Sequence, residues 1–199
     1  MLIYGKTGEK DTAVINAHLA RLSKGAVVVN LGCGPNVQHE LDNLACMVGH
    51  FQFHSTLVLA DRYVAFQDKI WIPGPEKVQV VSLNAATATT VLGKERADLI
   101  LTLGLFGDLH STTIREGTGK AAWPVVLREC FQVLKPIGRL IVSNSCERQP
   151  FIEFKVAVEG AGFTITYHHV SRAVWGPEKP NDERYLIVCR KPKNPRSAT

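Results

Sequence analysis

The chain has 199 residues, a net charge of +5 and a pI near 9.0, with 45% hydrophobic and 21% charged residues. That length supports one well-buried α/β core rather than two, and the balance is that of an ordinary globular protein. No stretch approaches about 18 uninterrupted apolar residues, which excludes a spanning helix, and no Lys/Arg stripe with interleaved aromatics indicates a nucleic-acid partner, although the charge permits one.

The five cysteines, Cys33, Cys46, Cys130, Cys146 and Cys189, are scattered, odd in number and free of CxxC or Cys/His spacing. Neither a disulfide framework nor a metal site is expected. The start, MLIYGKTGEK, has no basic flank followed by an apolar run, so no signal peptide is read there. A cytoplasmic protein with reduced thiols is the expectation.

In chain order, Asp11 is placed to cap a helix with the apolar face Val14, Ile15, Leu19 and Leu22, ended by Lys24-Gly25. Residues 1–25 form this helical segment, 26–190 the core and 191–199 a solvated tail. Ala26–Asn36, AVVVNLGCGPN, reads as a strand running into a Gly32-Cys33-Gly34 turn closed by Pro35. Val37, Leu41, Leu44, Ala45 and Val48 then recur at helical spacing. Leu57–Ala60 is a second strand delivering Asp61, and Val78–Leu83 a third delivering Asn84. A weak helix, Ala85–Leu92, stops at Gly93, and Asp98–Thr102 is a fourth strand running into Leu103-Gly104. Ala121–Leu134 is a strongly marked helix that Lys135-Pro136 terminates, and Arg139–Ser143 is a fifth strand. A helix beginning at Pro150 ends at Gly160-Ala161-Gly162, and Phe163–Val170 and Arg184–Arg190 follow as two strands with no helix between.

Strands alternating with helices predict a mostly parallel sheet covered on both faces, and the final pair predicts an antiparallel edge. In such sheets a ligand lies beyond the carboxyl ends of the strands. The residues delivered there are Gly32–Pro35, Asp61-Arg62, Asn84-Ala85, Leu103-Gly104 and Ser143–Cys146. Asp61 suits a ribose diol, with a helix cap as its structural alternative. Asn84 suits an adenine edge, with a turn residue as the alternative. A dinucleotide fingerprint needs glycine at position 37, and Val37 stands there instead.

The segments AVVVNLGCGPN, LVLADR, VVSLNA, ADLILTLGLFGDLH and VLKPIGRLIVSN, in this order and spacing, resemble the motifs of class I S-adenosylmethionine-dependent methyltransferases over Val27 to Arg190. The resemblance implies a three-layer αβα Rossmann-like sandwich whose seven-stranded sheet has an antiparallel last strand. It implies S-adenosyl-L-methionine as cofactor. Gly32, Cys33 and Gly34 would border its methionine part, Asp61 its ribose, Asn84 its adenine, and Thr102-Leu103-Gly104 the region of its methyl. Asn30 and Asn84 stand where the family commonly has acidic residues, keeping hydrogen-bonding capacity but losing charge.

Methyl transfer needs the acceptor atom positioned and water excluded, with a base only where that atom carries a proton. His110, in GDLHST, is the first candidate base, with Asp108 to orient it. His168 and His169 lie on one strand, so at most one of them faces a given site. Trp123, Trp175 and Tyr4 are candidates to enclose a substrate, Trp123 fitting a core position equally well. The reading is a single-domain methyltransferase acting on an N or O atom of a small metabolite or natural product, with a homodimer one way to complete a pocket made of short segments. An RNA or protein methyltransferase is the alternative within enzymes, and a non-catalytic binding protein of the same fold the alternative outside them.

Overall fold

Val-rich runs flanked by turns become central strands because both their faces are covered. In the computed structural model of the protein, residues 9–33, 55–62, 77–106, 122–147, 151–172 and 182–193 are described. Seven strands appear: β1 (Val27–Leu31), β2 (Thr56–Asp61), β3 (Lys77–Ser82), β4 (Ala97–Leu103), β5 (Leu134–Glu147), β6 (Thr164–Arg172) and β7 (Asp182–Arg190). The helices are α1 (Glu9–Leu19), α2 (Ala88–Leu92, preceded by a 3-10 turn at Ala85–Thr87), α3 (Ala122–Val133) and α4 (Phe151–Gly160).

The strands form one sheet in the order β3-β2-β1-β4-β5-β7-β6. All pairs from β3 to β5 are parallel, and β7 runs antiparallel to both of its neighbours. The antiparallel strand therefore lies inside the sheet, and β6 takes the edge. On one face α1 lays Ile15 and Leu19 against Leu59, Leu101, Ile141 and Leu186. On the other, α3 and α4 place Trp123, Leu127 and Phe154 against Ile100, Val142 and Ile187. The αβα sandwich expected from sequence is present.

Four local expectations are corrected. Helix α1 is already formed at Glu9 and stops at Leu19, before Lys24-Gly25. Asp11 is thus inside the helix and 1% exposed; its carboxylate binds a histidine on β6 rather than capping α1. Strand β5 first pairs at Leu134, breaks register across the Lys135-Pro136 turn and resumes at Arg139. Lys191, assigned to the solvated tail, is buried: its Nζ donates to the Leu134 carbonyl at 2.7 Å and sits 5.0 Å above the Phe131 ring. That ammonium fastens the end of β7 to the start of β5.

Candidate functional site

The parallel strands all end on the same rim, where Leu31 of β1 is level with Ala60 of β2 and Leu103 of β4 with Ser143 of β5. Just beyond β1, Gly32 has φ +82°, and just beyond β4, Gly104 has φ +97°. Left-handed values of this kind favour glycine, and they turn the chain sharply off the strand. The two glycines do different things. A Cβ on Gly32 would stand 2.9 Å from Leu105, so the β1 turn packs against the β4 turn. A Cβ on Gly104 would meet nothing within 4 Å among the described residues, so none of them crowds the backbone there. The amides of Gly32 and Cys33 both donate to the Ala60 carbonyl, at 2.7 and 3.3 Å. This turn therefore shapes the rim with its backbone, while those two N–H groups point back to β2. Cys33 is 6% exposed and belongs to the apolar layer under α1.

Asp61 closes β2 with its side chain partly exposed on the rim, and its carbonyl accepts from Leu83 N–H at 3.1 Å, tying it to the chain after β3. Beside it Arg62 is exposed, its carbonyl accepting from the Ser82 hydroxyl at 3.4 Å. Asn84 realises its structural alternative: Oδ1 accepts from Ala86 N–H at 3.0 Å and caps the 3-10 turn. The exposed side chain keeps its NH2 group as a donor toward the rim. Ala85 is half-buried beside it, Asn30 is fully buried at the end of β1, and Leu103 is partly exposed. Asp61, Asn84, Gly32 and Gly104 thus stand together at the carboxyl ends of the strands. The rim offers a carboxylate acceptor, an amide donor and a glycine turn side by side.

The structure joins a pair on the α1 side of the same rim that no sequence pattern indicated. His169 Nδ1 lies 3.1 Å from Asp11 Oδ1, between residues 158 positions apart in the chain. The other carboxylate oxygen, Oδ2, is buried with no hydrogen-bond partner. A carboxylate oxygen accepts, so the contact is one that an Nδ1–H can donate. His169 is level with Leu186 of β7, which is level with Ser143 of β5. Three strand spacings, roughly 14 Å, separate its backbone from β4. His168 packs its ring against Phe151 at 5.3 Å, on the α4 side. The alternation along β6 thus picks His169 for the α1 side. No local signal joins Asp11 to His169, and only the crossing of α1 over the sheet does so.

Trp123 is a core residue. It is 3% exposed, edge-on to Phe154 at 5.2 Å, and its Nε1–H donates to the Phe106 carbonyl at 3.3 Å. Of the other expected site residues, Tyr4, Gly34, Asp108, His110 and Trp175 lie outside the described residues. Among the described residues no cluster of three or more His, Cys, Asp or Glu side chains can hold a metal, and no helix is long and apolar enough to cross a membrane.

No family model matches the chain, and no curated protein matches it in sequence. Solved structures do share its architecture. An S-adenosylmethionine-dependent methyltransferase from Methanosarcina mazei superimposes with a TM-score of 0.62 at 13% identity, over 90% of this chain and 98% of that one. The 1,6-didemethyltoxoflavin-N1-methyltransferase of Burkholderia thailandensis, crystallised with its substrate and S-adenosylhomocysteine, gives 0.56 at 17% identity, over 92% and 77% of the two chains. The cyclase SpnF gives 0.57 at 12% identity, over 94% and 83%. At these identities the likeness is one of fold. The chain has the Rossmann-like fold of class I S-adenosylmethionine-dependent methyltransferases.

Proposed function

We propose that this protein transfers a methyl group from S-adenosylmethionine to an N or O atom of a small-molecule acceptor. The observation that carries the reading is the convergence of Asp61, Asn84 and the glycine turn at Gly104 on one rim of a methyltransferase-type sheet. The bound cofactor supplies a methyl carbon on a positively charged sulfur, which leaves as a neutral thioether. Asp61 would hold the ribose hydroxyls, Asn84 the adenine edge through its NH2, and Gly104 the approach beside the methyl. The Gly32–Leu105 contact holds the β1 and β4 turns in register with each other.

On the acceptor side, His169 held by Asp11 offers Nε2 to an O–H or N–H group. Its offset from β4 suits the far end of an elongated acceptor, so its role is positioning rather than proton removal. His110 as base with Asp108 beside it, and Tyr4 and Trp175 as enclosing residues, complete the proposal from sequence alone. A cytoplasmic location belongs to the same proposal.

A second reading is cofactor binding without methyl transfer; a comparable fold likeness to the cyclase SpnF supports the part of it that the fold also carries activities other than methyl transfer. Calorimetry with S-adenosylmethionine and S-adenosylhomocysteine separates these readings. Absence of binding by either ligand sinks both. Binding without methylation across metabolite pools selects the second, and salt-sensitive retention of tRNA with methylation of it selects a macromolecular acceptor.

A further inference from the structure

A cavity of about 570 Å3 lies at the opposite end of the sheet from Asp61 and Gly104. It opens beside the amino ends of β1, β2 and β3, on the face that α2 and α3 cover. Its origin is the shortness of α2. That helix has five residues and is stopped at Gly93, whose N–H closes on the Thr89 carbonyl. Five residues of helix span about 7.5 Å, whereas a six-residue strand such as β2 or β3 spans roughly 20 Å. The helix is therefore less than half as long as the strands beside it.

The floor is mixed: Val27 and Val81 are partly exposed there, Thr56 and Gln79 stand among them, Val29 and Val58 lie buried beneath, and Leu92 and Val91 close the α2 side. Val91 is 53% exposed, an unusual position for a valine with a cavity beside it. The rim is cationic. Lys77, Arg96 and Lys135 line it against the single acid Glu95. Two of these charges are already matched: Lys135 pairs with Asp98 at 2.8 Å, and Glu95 with Lys191 at 3.4 Å. Lys77 and Arg96 have no acidic partner among the described residues. What is left is a trough of ligand size, part valine and part polar, with two positive charges at its mouth that no described acid matches.

We infer that this cavity is a second ligand site, separate from the cofactor rim, and that it takes an amphipathic anion with a medium-chain apolar tail. The tail lies along Val27, Val81, Leu92 and Val91, the apolar side chains that still show surface there, and the anionic head lies between Lys77 and Arg96. An apolar tail gains by leaving water, and a head group on two cations gains charge-assisted hydrogen bonds, so the two ends select the same orientation. A purely apolar ligand would leave the rim charges unmatched, and a cationic one would oppose them. The inference does not depend on methyl transfer.

The test is calorimetric titration of the intact protein with laurate below its micellar range, with dodecylammonium as a tail-matched control. Laurate should bind saturably at one site. In a Lys77→Glu/Arg96→Glu variant its affinity should fall by at least about tenfold, the effect of losing hydrogen bonds to a charged group. Both substitutions are at exposed positions, so the variant should keep its helical circular dichroism and its S-adenosylhomocysteine affinity. A Val91→Gln variant should weaken laurate through the tail alone. Equal binding of dodecylammonium, unchanged laurate affinity in the charge-reversed variant, no saturable binding, or displacement of laurate by S-adenosylhomocysteine would each overturn the site.

Discussion

Gly32 and Leu105 stand so close that any Cβ on the glycine would come within 2.9 Å of both Cβ and Cδ1 of the leucine. The turn after β1 and the turn after β4 are thus one packed unit, built where the cofactor is proposed to lie. Replacing Gly32 by alanine forces a side chain into a left-handed φ and into Leu105 at once. The expected loss is about 2–4 kcal/mol of unfolding free energy, from the backbone and overpacking together. Urea denaturation measures it. Gly104→Ala should cost only the backbone part, about 1–2 kcal/mol, because its Cβ is crowded by none of the described residues. That variant should nonetheless weaken S-adenosylhomocysteine binding. If the two alanines destabilise equally, the packing account of Gly32 is wrong.

Asp61 can be tested without disturbing the core, since its side chain is on the rim. Asp61→Ala should lower affinity for S-adenosylhomocysteine by roughly 10- to 100-fold, the loss expected when charge-assisted hydrogen bonds to a diol are removed. Asp61→Asn should fall between alanine and wild type. Unchanged affinity in Asp61→Ala would remove this residue from the cofactor site.

The Asp11–His169 pair makes a prediction that distinguishes positioning from scaffolding. His169→Ala leaves a buried carboxylate without its partner and should destabilise the fold by about 1–3 kcal/mol. His169→Gln can keep a hydrogen bond to Asp11 through its NH2 group, so it should be milder. Once an acceptor is known, His169→Gln should raise KM more than it lowers kcat. An equal fall in kcat with KM unchanged would instead make His169 part of the proton path.

His18 gives a pH dependence. Burial, followed by the charges of Arg139 and Arg21, holds its folded pKa below the ordinary 6.5, and its buried Nδ1 has no hydrogen-bond partner. Above 6.5 both states are neutral at this site and its contribution to stability is complete. As pH falls below that value the unfolded chain takes up a proton that the folded chain resists, so stability declines toward the lower folded pKa. Urea midpoints near pH 7.5 and about pH 5.5 should differ more for the wild type than for His18→Leu. An identical pH slope in the variant would assign the effect to another group.

Two of the cysteines should be chemically silent. Burial pushes the Cys130 thiol up to about 12, and Cys189 is raised further by burial and by its neighbour Cys130. Almost no thiolate exists at either position near pH 8. Alkylation of the native protein followed by peptide mapping should leave both unmodified, and denaturant should expose them. Rapid labelling in native conditions would mean that the α3 side of the core opens easily.

Much of this architecture was legible because parallel strands buried on both faces read as continuous apolar runs, as Val27–Val29, Leu57–Ala60 and Leu99–Leu101 do. The place of Asp61 at the end of β2 was legible too, since a charge directly after such a run has no packing reason to be inside it. Asn84 was half legible: an asparagine after a strand suits a cap and a ligand equally, and its Oδ1 here makes the cap. Trp123 could not be sorted into core or pocket from helical spacing, because both positions demand the same face. Lys191 read as tail because Lys and Pro suggest solvent, and its ammonium finds a carbonyl only when β7 meets the start of β5. The Asp11–His169 pair had no local signature at all, since it depends on how α1 crosses the sheet.

The position of β7 between β5 and β6 bears on how the chain matures. β6 leaves synthesis before β7, yet among the described residues its only sheet neighbour is β7. Until the last strand is available, β5 and β6 both present unpaired edges, the form of surface on which other chains add. The final residues of β7 therefore act as the closing stitch of the whole sheet. A chain shortened before Tyr185 should aggregate rather than merely lose an edge.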